Sequence, residues 1–141
     1  MIKFPYVLTA LTTCALLSAG CGKPSANLIP AVGTVSIDGK PADAIMVQFL
    51  PKTLDPNAIA PSSQAITDEA GNFELRTTDN NVVGAVAGRH TVRLYDTLEE
   101  RVPQGKTRTK PLRLDPSFSS GSMVVEVVEG EAIEIEAHGP R

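Results

Sequence analysis

Few side chains in this chain could do chemistry. His90 and His138 are the two imidazoles, and Cys14 and Cys21 are the two thiols. A zinc centre needs three or four convergent His, Cys or acidic ligands. Two oxygen-rich runs, Asp68-Glu69-Ala70-Gly71-Asn72 and Asp79-Asn80-Asn81, could offer ligands to Ca²⁺. Neither has the D-x-[DN]-x-[DN]-G spacing, and the same side chains cap turns. Serine, histidine and aspartate are all present, but no G-x-S-x-G nucleophile elbow is. These residues predict no catalytic, metal-ligating or cofactor-binding position. The competing expectation is a Ca²⁺-dependent binding protein, or a hydrolase, built around His90 and Asp79.

Charge offers a second kind of chemistry. Arg101, Lys106, Arg108, Lys110 and Arg113 make one stretch basic, and Asp115, Glu126, Glu129, Glu131, Glu134 and Glu136 make the next acidic. The net charge of −3 leaves no basic field for a polyanion. Aromatics at 4%, with no Trp, argue against a nucleic-acid stacking surface or an aromatic sugar platform. The acidic stretch reads as a solvated, aggregation-resistant face. A sharper expectation folds the basic loop back over the acidic hairpin.

The elements that position these residues begin with a leader. Lys3 is followed by sixteen residues, 4–19, without a charge. That is short of the roughly 20 residues a spanning helix needs. The run meets Leu17-Ser18-Ala19-Gly20-Cys21. This resembles the bacterial lipoprotein signal, in which small residues precede the modified Cys, although Ser18 stands where Leu, Val or Ile is usual. The resemblance implies a signal peptide at 1–20 and acyl chains such as palmitate on Cys21. Several chains together would anchor firmly to a membrane. A plain secretory signal cut near Ala19, or an uncleaved short anchor, is the alternative. Gly22, not Asp, follows the Cys. By similarity to enterobacterial sorting, that implies the outer membrane of a bacterial cell envelope. Cys14 lies in the leader, so the mature chain would hold no free thiol. Residues 21–30, with Pro24 and Pro30, read as a lipidated Cys and flexible tether.

From Ala31 onward the hydrophobic period is two. Strands are expected at 32–37, 45–50, 64–67, 72–77, 89–95, 123–128 and 132–137, with a short extra one at 110–114. Asp38-Gly39 is a two-residue turn signal. Asp68 to Gly71 closes a second hairpin, and Glu129-Gly130 a third. Residues 98–122 form a long irregular connection, and residues 138–141 a frayed tail. Seven strands without a helix predict an all-β, immunoglobulin-like two-sheet sandwich over 31–137.

The motifs in order carry a further resemblance. Gly33-Thr34-Val35-Ser36-Ile37-Asp38-Gly39-Lys40-Pro41 is similar to the opening of carboxypeptidase regulatory-like domains. Thr67-Asp68-Glu69-Ala70-Gly71-Asn72-Phe73 is similar to their T-D-x-x-G-x-F hairpin, and residues 84–92 resemble a later element of small bacterial lipoproteins with this domain. Ala87 and His90 depart from that element, where Pro and an aromatic are usual. The resemblance implies a transthyretin-like, seven-stranded sandwich and no peptidase activity. The transthyretin relatives that hydrolyse 5-hydroxyisourate end in Tyr-Arg-Gly-Ser, whereas this chain ends in His-Gly-Pro-Arg. The expected protein is a membrane-anchored, non-catalytic envelope lipoprotein that binds no nucleic acid. It would act as a small binding or structural module for an envelope or extracellular protein or glycan. The loops at 52–63 and 98–122 are where binding groups are expected.

Overall fold

The computed structural model describes residues 26–53, 57 and 59–141, and within them the fold is all-β, with several sheets and one 3₁₀ turn. The leader at 1–20 and the expected lipid site Cys21 lie outside the described residues.

Alternation sorts side chains as the sequence predicts. In β2 (Val32–Ile37) Val35 is buried between exposed Thr34 and half-buried Ser36. In β4 (Ile45–Pro51) Ile45, Val47 and Phe49 are fully buried, while Met46, Gln48 and Leu50 turn outward. β9 (Gly88–Asp96) does the same with Val92 and Leu94. The Asp38-Gly39 turn forms: both residues have positive φ, 51° and 78°, and Ile37 pairs with Lys40 across it. Glycine meets the second of these angles without steric penalty.

Seven strands are three residues or longer: β2, β4, β5 (Ser63–Ile66), β6 (Asn72–Glu74), β9, β10 (Met123–Val127) and β11 (Ile133–Ala137). Four two-residue strands accompany them: β1 (Leu28–Ile29), β3 (Lys40–Pro41), β7 (Arg76–Thr77) and β8 (Ala85–Val86). One sheet runs β10-β9-β4-β5-β7, a second runs β11-β2-β3 with β6 also on β2, and β1 pairs β8. Both large sheets feed one apolar core. Val35, Phe73 and Ile135 enter it from one sheet, and Val47, Phe49, Val92 and Val127 from the other. The Phe49 and Phe73 rings meet across it at 6.2 Å.

Five expectations are corrected. β10 and β11 do not form a hairpin: β10 lies antiparallel on β9, whereas β11 lies parallel on β2. Each presents apolar residues to the core from a different sheet, so the chain crosses between sheets at Gly130. Glu126 therefore stands opposite Arg89, and Glu134 and Glu136 opposite Thr34 and Ser36, so no like-charge pair faces across either ladder. The 72–77 segment is likewise divided. β6 joins β2 and β7 joins β5, with fully buried Leu75 between them. The extra strand at 110–114 does not form. Leu28 and Ile29, expected in the tether, pair with Val86 and Ala85, and Ile29 is buried. The expected frayed tail is tied down over its first two residues: the His138 carbonyl accepts from Asp115 N, and Gly139 N donates to Asp38 Oδ2.

Candidate functional site

Strand register gives the protein two ends. At one, the proximal end, the chain comes in through β1, β2 begins at Val32, and Pro51 stands opposite His90. At the other, the distal end, Ile45 stands opposite Asp96, and β2 and β11 finish together at Ile37 and Ala137. The long connection 98–122 leaves β9 at the distal end and returns to β10.

A connection of this length needs tertiary anchors. Arg113 supplies the main one. Its Nε and Nη2 donate to Asp96 Oδ2 and Oδ1 at 2.9 and 2.6 Å. Nη1 donates to Asp43 Oδ1 at 2.9 Å, and Nη2 also reaches the Asp43 carbonyl at 3.0 Å. The planar guanidinium suits this paired geometry, which Lys could not reproduce. The Asp96 side chain is only 6% exposed. The Arg113 hydrogen bonds hold its carboxyl below the ordinary range, and the two aspartates push the guanidinium higher still.

Smaller ties complete the loop. Glu100 receives the Thr109 and Lys110 amides and the Thr109 hydroxyl, which lowers its pKa, the Thr109 amide most. Arg108 pairs with Glu99 at 2.7 Å and donates to the Glu100 carbonyl. Asp115 caps the 3₁₀ turn η1 (Pro116–Ser119) by accepting from Ser117 N, and Phe118 sets its ring edge-on to His138 at 5.0 Å.

This bonding sorts the basic stretch into two groups. Arg108 and Arg113 are engaged inward with Glu99, Asp43 and Asp96. No ion pair among the described residues joins the stretch to Glu126, Glu129, Glu131, Glu134 or Glu136, so the expected fold-back over those acids does not occur. Arg101, Lys106 and Lys110 are exposed and make no ion pair among the described residues. Leu98 stands beside the start of this loop, 60% exposed. A groove of about 740 Å³ between loop and sheet is lined by Met46, Tyr95, Glu100, Arg101 and Val102. Of the three exposed cations Arg101 lines this groove, while Lys106 and Lys110 stand elsewhere on the same loop, so the loop can offer acidic groups three cations that no carboxylate among the described residues pairs.

The other residues singled out from sequence have structural employment. Asp68 Oδ1 accepts from the Ala70 and Asn72 amides, which lowers its pKa, the Asn72 amide most. Asp79 accepts from Asn80 N, and Asn80 Oδ1 accepts from Thr77 Oγ1. His90 is 1% exposed, 5.7 Å from the Phe49 ring, with Nδ1 3.0 Å from the Gly88 carbonyl oxygen. Its Nε2 has no hydrogen-bond partner among the described residues, and burial lowers its pKa. Among the described residues, no group of three or more His, Cys, Asp or Glu gathers where it could hold a metal ion.

Sequence reasoning missed Asp43 and Asp96. They lie 70 and 17 residues before Arg113, and no spacing rule links them. Their shared signal is position: each sits where a strand of the five-stranded sheet meets its distal loop. No family model, curated protein or solved structure matches this chain.

Proposed function

We propose that this protein is a lipid-anchored, non-catalytic module of the bacterial envelope whose distal loop binds an acidic partner protein. The address rests on the leader and Cys21. The finer fold proposed is the transthyretin-like sandwich of carboxypeptidase regulatory-like domains, supported by two sheets facing a common core. The observation that carries the binding reading is the imbalance of the 98–122 loop. Its own acids are engaged, Glu99 by Arg108, Glu100 by the Thr109 and Lys110 amides and Asp115 by the Ser117 amide, while Arg101, Lys106 and Lys110 are exposed and make no ion pair among the described residues. Exposed cations of this kind steer and orient an oppositely charged partner.

Two measurements test the reading. Metabolic labelling with palmitate should mark the chain and should fail in Cys21→Ser. Photo-cross-linkers at Leu98 and Lys106 in intact cells should capture one protein that a cross-linker at Thr34, on the outer face of the second sheet, does not. Charge reversal at Arg101, Lys106 and Lys110 together should abolish that capture. Equal capture from Thr34, or capture indifferent to the reversal, would reject the distal loop as the binding surface.

A further inference from the structure

The proximal end carries an apolar loop that the fold keeps from turning inward. Val82 is 45% and Val83 39% exposed. Their loop is fastened to Thr77, which is 3% exposed. The Thr77 amide donates to the Val82 carbonyl, and the Thr77 carbonyl accepts from Asn81 N. The Thr77 hydroxyl accepts from Val82 N and donates to Asn80 Oδ1. Asn81 takes a positive φ of 58°, and its carbonyl receives Arg76 Nη1 at 3.4 Å. These bonds fix the backbone from Asn80 to Val82, and the Gly84 amide, donating to the Leu75 carbonyl, fixes it beyond Val83.

The same loop meets the incoming chain. Gly84 follows Val83, and its α-carbon lies so close to Ile29 that a Cβ there would stand 2.6 Å from the Ile29 carbonyl oxygen. Leu28 pairs with Val86 in the adjoining ladder. From Leu28 back to Cys21 there are seven residues, a reach of at most about 23 Å at roughly 3.3 Å each. The proximal end is therefore the part of the fold that an anchor on Cys21 holds nearest to the bilayer.

We infer that the Val82-Val83 loop is a membrane-apposed contact that seats the proximal end on the lipid surface and points the distal loop outward. The inference rests on the lipid-anchor reading of Cys21 and adds an orientation to it. Two valines bind lipid weakly by themselves. Held by a short tether, they act at the high effective concentration of an intramolecular contact. Valine side chains belong in the boundary between headgroups and acyl chains, while Arg76, beside the loop, is spent on Glu74 and the Asn81 carbonyl, so the contact is apolar.

The test uses the lipidated chain in vesicles of phosphatidylethanolamine with a minority of phosphatidylglycerol. Apart from the leader's Cys14 and the lipidated Cys21, the sequence has no cysteine, so Val82→Cys or Lys106→Cys gives one labelling site for an environment-sensitive fluorophore. With spin-labelled lipid present, the probe at 82 should be quenched roughly twofold or more, and the probe at 106 should be unaffected. Val83→Asp should release the probe at 82 while the protein still floats with the vesicles. Flotation with no quenching at 82, or with equal quenching at 82 and 106, overturns the orientation alone. Failure to float overturns the anchor reading, and the orientation with it.

Discussion

The two ends of the molecule are held in different ways. At the proximal end, strand pairing and close backbone approach set the geometry: β1 lies on β8, and Gly84 is pressed against Ile29. At the distal end no ladder orders the long connection. Charge does, through Arg113 with Asp43 and Asp96 and through the Glu100 carboxylate with the Thr109 and Lys110 amides. Hydrogen bonds of the ladder are spread over many groups, whereas a charged anchor concentrates stability in one side chain. The proximal end should therefore yield to backbone changes, and the distal end to single charge changes.

Arg113→Met offers the strongest way to break that contrast. It leaves the nearly buried Asp96 carboxylate without its cation. The expected loss is about 2–3 kcal/mol, allowing for the part-exposed guanidinium. Urea unfolding would measure it, and trypsin should begin to cut after Arg101, Lys106 and Arg108. An unchanged midpoint would show that the loop is ordered by something other than this anchor.

Gly84→Ala attacks the other end. A methyl group there meets the Ile29 carbonyl at a residue whose φ is +117°, which glycine alone adopts readily. The cost is about 1–2 kcal/mol. Protease sensitivity should appear at residues 26–30 and not in the distal loop.

Acid should separate the ends without any mutation. Burial lowers the His90 pKa from its usual value near 6.5, so the unfolded chain takes up that proton first. Stability from neutral His90 is complete above about pH 6.5 and is lost as pH falls toward its lower folded value. Asp96 is lowered by Arg113, so its contribution is complete above about pH 4 and is lost only below that. Thermal melts should thus decline in two separate windows. His90→Phe should flatten the upper one and leave the lower one in place.

The smallest expected effect is at Glu100→Gln. The exposed carboxylate accepts from two amides, so the neutral variant should raise hydrogen exchange at Thr109 and Lys110. The global melting temperature should hardly move. A large drop would mean that the loop and the core unfold as one unit.

The strands were legible in the sequence because their signal is local. Val47 and Phe49 alternate with Met46 and Gln48, and the buried face follows directly from that period. The Asp38-Gly39 turn was equally readable, since its backbone angles select the residues. Strand partnership was not. Neighbours in sequence usually pair, yet β10 and β11 divide between two sheets, each carrying apolar residues into the same core. The candidate site was half legible. Composition exposed the excess of basic residues in the 98–122 loop. Which cations are satisfied depended on Asp43 and Asp96 arriving from remote strands. Sequence alone determined the period, the turns and the charges. Only tertiary structure decided which sheet each strand joins and which charges remain free, because pairing energy depends on distance through space and not along the chain.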